Sequence, residues 1–176
     1  LGSLQARGLT SEQLGSLETA DLVQLGTAAV SALSSGSLVG LQDAQVGALL
    51  TSQVSALTTA QAAGLTSAQT QSLTTAGAKA LSSGVVSKLS TAAVAALTTG
   101  AVAALDTVQV NALSSAQFGA LTTDQVVALT TAQAKALGSL QARGLSSDQL
   151  KALGTADVAQ LSTTAVSALT TDALAG

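Results

Sequence analysis

Leucine stands at position 1 and at every eighth residue from there to Leu169, without an exception. A period this short and this regular describes a linear array, in which each unit is supported by its neighbours rather than by a distant core. It also limits the backbone. Eight residues turn an ideal α-helix by about 800°, so successive leucines would drift by roughly 80° and leave any common face. One continuous helix is therefore excluded, and the chain must change direction once per unit. The 176 residues divide into 22 octapeptides, read as one uninterrupted array over residues 1–176.

Numbered from its leucine, the unit has a fixed chemistry. Slot 2 is mostly Thr, Ser or Gly, and slot 3 is Ser or Thr in every unit but one, where Asp43 stands. Slot 5 is Gln in twelve units, and slot 6 is Val, Leu or Ala apart from Thr70 and Phe118. Slot 7 varies, and slot 8 is usually Ala or Gly. This order repeats a helix-start signal, seen in Thr122-Thr-Asp-Gln125. The slot 2 hydroxyl can accept from the slot 5 backbone N–H while the Gln side chain reaches back to the cap. Leu121 and Val126 are then placed to close an apolar staple across the helix start. Capping from slot 3 is the rival register, displaced by one residue.

The charges test this reading independently. All nine acids (Glu12, Glu18, Asp21, Asp43, Asp106, Asp124, Asp148, Asp157 and Asp172) fall in slots 2 to 5, whereas Arg7, Lys79, Lys135, Arg143, Lys151 and Lys88 fall in slots 7 and 8. A helix favours acids in its first turn and bases in its last. The expected fold is all-α: a solenoid of short helices, one per octapeptide, with the Leu row inside. A β-solenoid is the alternative, supported by the Thr and Val content, although strict alternation fails along the unit.

A longer repeat overlies the octapeptide. Leu1–Gly40 and Leu137–Gly176 match at 26 of 40 positions, at an offset of 136 residues, which points to block duplication. The chain starts at Leu1 without a signal segment and holds a whole number of units, so it is expected to be a window of a longer chain.

The composition removes most chemistry. His, Cys, Met, Trp, Tyr and Pro are absent, and the net charge is −3. The scattered bases offer no stripe for a phosphate backbone, so no nucleic-acid partner is expected. Catalysis would fall to carboxylates, Lys and hydroxyls, which do not cluster. Asp148 and Lys151, or Glu18 and Asp21, read as ordinary helix-surface spacings. No enzyme activity, catalytic residue, metal site, cofactor or small-molecule substrate is expected, and scattered acids supply no calcium cage. Gly8, Gly40, Gly64 and Gly144 recur at slot 8, where a helix ends and a small or left-handed residue is wanted, so they are not read as a phosphate loop. The uncharged run Leu89–Leu105 keeps its Ser and Thr on the repeat schedule and is not read as a transmembrane segment.

The units LTTDQVVA (121–128), LTTAQAKA (129–136) and LSSDQLKA (145–152) resemble the LTTxQVxA-type repeats of very long, repetitive surface and adhesin-like proteins of Gram-negative bacteria. That resemblance implies a stalk or fibre projecting from the cell, hence secretion. The expected function is an extracellular, cell-surface filament or adhesin stalk that associates with itself, end to end or laterally. The alternatives are an ice-binding or similar Ser/Thr surface lattice and a designed or intracellular scaffold.

Overall fold

The computed structural model describes residues 1–175 and contains twenty-two short α-helices among them, from α1 (Ser3–Arg7) to α22 (Thr171–Leu174), one per octapeptide. No strand occurs among the described residues. The helices are four to six residues long, far too short to hold alone in water. They are closed locally by caps and held by packing.

The caps lie at slot 2. Fifteen slot 2 side chains, Thr122 among them, accept a hydrogen bond from the slot 5 N–H of their own unit. In the unit of Leu121, Thr122 Oγ1 accepts from Gln125 N at 3.2 Å, and Gln125 Oε1 accepts from Thr122 N at 2.8 Å. Where slot 2 is Gly2, Gln42, Leu50 or Gly138, the Gln half of this box still forms. The rival register at slot 3 is not adopted.

The corner between helices is the Leu itself. Leu105 is typical, ending α13 (Thr99–Ala104) in an extended conformation with φ −58° and ψ 141°. The cap that follows is extended too, and the next helix begins at slot 3. Two extended residues per unit supply the turn that the eight-residue period demands.

Helices pack on the third helix before and after them. Thus α7 (Thr51–Ser55) lies against α10 (Thr75–Ala80), which lies against α13, which lies against α16 (Thr123–Val127). The chain therefore winds into a superhelix and passes over itself every three to four units.

Slots 1, 5 and 6 face inward. From Leu25 onward the slot 1 leucines are buried apart from Leu49 and Leu169, and most slot 6 side chains are sealed completely, including Val94, Val126 and Phe118. Slots 2, 3, 4 and 7 make most of the outer surface. The inside of the coil is filled rather than hollow. A cavity of about 10 Å³ lies between Leu41, Leu49, Leu57, Leu65 and Leu73, at the lower limit of space for one water molecule.

Candidate functional site

The chemistry that recurs through the molecule is a buried amide. Gln45, Gln53, Gln61, Gln69, Gln109, Gln117, Gln125, Gln133, Gln141 and Gln149 are all buried. Sequence reasoning gave the slot 5 Gln a capping role and missed its burial, because only one of its three hydrogen-bonding positions is local.

Gln61 shows the full arrangement. Its Oε1 accepts from Thr58 N at 2.7 Å, and its Nε2 donates to the carbonyls of Val30 and Leu33, both at 2.8 Å. Those carbonyls lie 31 and 28 residues earlier, on the turn beneath. Gln53 repeats the pattern onto Leu22 and Leu25 at 2.9 Å each. One oxygen and two N–H groups are all used, which is the condition for burying an amide without penalty.

The corner explains why the slot is Gln. An extended Leu at slot 1 takes its carbonyl out of helical pairing, and that oxygen lies inside the coil, where an unpaired acceptor is costly. The Gln of a later turn supplies the donor. Glu has no proton to give, and Asn is one methylene shorter. The result is a ladder of side-chain rungs tying each turn to the next.

The same octapeptide is found with and without a turn beneath it. Units 1–8 and 137–144 both read LGSLQARG. Gln5 is exposed, whereas Gln141 is only 2 % exposed and donates to the Leu113 carbonyl at 2.6 Å. Sequence sets the capability of the rung; the turn below decides whether it is made.

Glycine allows the turns to approach at one kind of place. A Cβ on Gly119 would stand 2.6 Å from the Gly144 carbonyl oxygen, and one on Gly144 would overlap the Ser115 carbonyl. Gly15 and Gly40 form an equivalent pair, again 25 residues apart. This revises the reading of slot 8: Gly8, Gly40, Gly64 and Gly144 have no positive φ, so smallness rather than left-handed backbone explains them.

The polar surface differs from this interior. The slot 3 hydroxyls, from Ser3 to Thr171, are exposed or half-buried and make no hydrogen bond to another described residue, in contrast with the slot 2 caps. Asp148, Lys151, Glu18 and Asp21 are all exposed. Among the described residues no group of three or more acidic side chains gathers as a metal cage requires. No described helix is long and apolar enough to cross a membrane.

The family model of the ALTTAQ repeat matches residues 14–51 and 102–131. The chain thus carries LTTxQ-type octapeptide repeats, and the Leu period runs unbroken between and beyond the two matched stretches. No curated protein and no solved structure matches the chain.

Proposed function

We propose that this array of ALTTAQ-type octapeptides is a structural element, an extracellular filament or adhesin stalk that associates with itself and performs no catalysis. The observation that carries the reading is the packing rule: every helix rests on its third neighbour, and the ladder repeats with it. Such a coil lengthens by adding units, each meeting the same contacts, so length is the property that repetition provides. A surface of Ala, Ser and Thr with few charges allows coils to approach laterally with little loss of side-chain entropy.

The test is sedimentation and light scattering of the 176-residue chain over a wide concentration range, with negative-stain images. Concentration-dependent growth into fibres is expected. An unchanging monomer mass with no fibres overturns the filament reading for this segment.

One observation favours a second reading. A slot 3 hydroxyl recurs in 21 of 22 units, yet those hydroxyls serve no contact in the fold, which suits a surface lattice that orders water or ice. Thermal hysteresis of the chain in supercooled solution is its measurement, and freezing at the rate of an inert protein removes it.

A further inference from the structure

The ladder has a gap, and the gap falls in one place. The units beginning at Leu73, Leu81, Leu89 and Leu97 carry Gly77, Val85, Ala93 and Ala101 at slot 5. A rung reaches back 28 to 31 residues, so these four positions are the ones whose rungs would cross from Leu73 onward to the residues before it. Gln69, the last rung before the gap, ends on Leu38 and Leu41. Gln109, the first after it, ends on Ala78 and Leu81. No glutamine rung joins the residues up to Ser72 with those from Leu73.

What crosses instead is one hydroxyl. Thr70, the polar exception in slot 6, is fully buried and places Oγ1 2.9 Å from the Ala93 carbonyl. The same oxygen lies 3.1 and 3.0 Å from the carbonyls of Thr66 and Ser67 in its own helix. A hydroxyl has one proton to donate, so this tie is shared with local acceptors.

The missing rungs leave acceptors behind. Leu57, Leu65 and Leu73 are buried residues at slot 1, and their carbonyls have no partner among the described residues where later units would present Gln. Replacing both members of a hydrogen bond by apolar groups is close to neutral, but removing only the donor is destabilising. The contacts across this seam are therefore apolar packing over unpaired carbonyls, whereas the turns on each side are pinned.

We infer that the Ser72–Leu73 seam is a built-in parting plane, at which the superhelix opens first and which divides it into two separately opening blocks, residues 9–72 and 73–152. Under axial tension these blocks part before either unwinds. The inference goes beyond the filament reading and does not depend on it, since a chain that never forms fibres can still open here.

The chain contains no cysteine, so a single introduced thiol reports opening. Val54 is buried beneath the seam, its Cγ2 3.8 Å from a Cβ built on Gly77. Val102 is equally buried at the same slot, under turns that carry Gln125 and Gln133. In the full chain, the thiol of Val54→Cys is expected to react about tenfold faster with a disulfide reagent than that of Val102→Cys. Adding Val85→Gln, Ala93→Gln and Ala101→Gln, each behind an existing Ser or Thr cap, should bring the first rate down to the second. Equal rates for the two thiols overturn the inference, and so does a Val54→Cys rate that the added glutamines leave unchanged. If circular dichroism shows that the triple variant fails to fold, Thr70→Val takes its place. It should speed Val54→Cys while leaving Val102→Cys unaltered, and no change at Val54→Cys overturns the proposal.

Discussion

A glutamine side chain at slot 5 meets three backbone groups on two turns, and each contact has a distinct cost when lost. Gln125 accepts from Thr122 N and donates to the carbonyls of Val94 and Ala95, at 3.2 and 3.1 Å, and of Leu97. Gln125→Met keeps the volume but leaves those groups unpaired, so a loss of about 1–3 kcal/mol is expected in urea denaturation. Gln125→Glu should cost more, because a carboxylate then faces carbonyl oxygens inside the coil. By contrast, Val127→Asp at slot 7 replaces a side chain that is 56 % exposed and should stay within about 0.5 kcal/mol. Equal damage at positions 125 and 127 would contradict the assignment of inner and outer faces.

At the scale of one helix, the cap and the rung act together. Thr122→Ala removes the acceptor for Gln125 N and should cost about 1 kcal/mol. Thr123→Ala, one residue later, removes a hydroxyl with no partner among the described residues and should leave the melting temperature nearly unchanged. The helix α20 (Gly154–Val158) shows what happens when the rung is absent but the turn below is present. It begins one residue early, Leu153 is helical rather than extended, and Gly154 takes φ +68°. Gly at slot 2 is not the cause, since Gly138 caps α18 (Ser139–Gly144) in the regular extended form above Gln141. Asp at slot 5 is not sufficient either: Asp21, with no turn beneath it, sits in a regular unit. The combination decides it, because Asp157 has no N–H for the Leu129 and Val126 carbonyls that lie 28 and 31 residues back. Asp157→Gln should restore the corner and raise stability by about 1 kcal/mol, read from the denaturation midpoint. A lowered midpoint would break this account.

For the whole molecule, stability is a sum of turn-on-turn contacts, so damage should remain local and graded rather than all-or-none. Gly144→Ala is the sharpest case. Its Cβ would overlap the Ser115 carbonyl on the turn beneath, and the backbones must separate for it to fit. Hydrogen exchange should show lost protection in α15 (Ser115–Gly119) and α18 while α7 and α10 keep theirs. Uniform loss along the chain would mean that the array unfolds as a single cooperative unit.

The octapeptide alone determined the local structure: one helix per unit, its cap at slot 2, its sorted charges and its Leu and Val rows. Those features depend on contacts within about six residues, and the repetition of the unit states them many times over. The return of the chain after three to four units was decided only by the superhelix, and with it the third buried row, the rungs from Gln45 to Gln149 and the glycine pairs 25 residues apart. A pitch of this kind is set by small angles at each Leu corner, which accumulate over several units and leave no mark in any single one. That is why two identical copies of LGSLQARG bury one glutamine and expose the other.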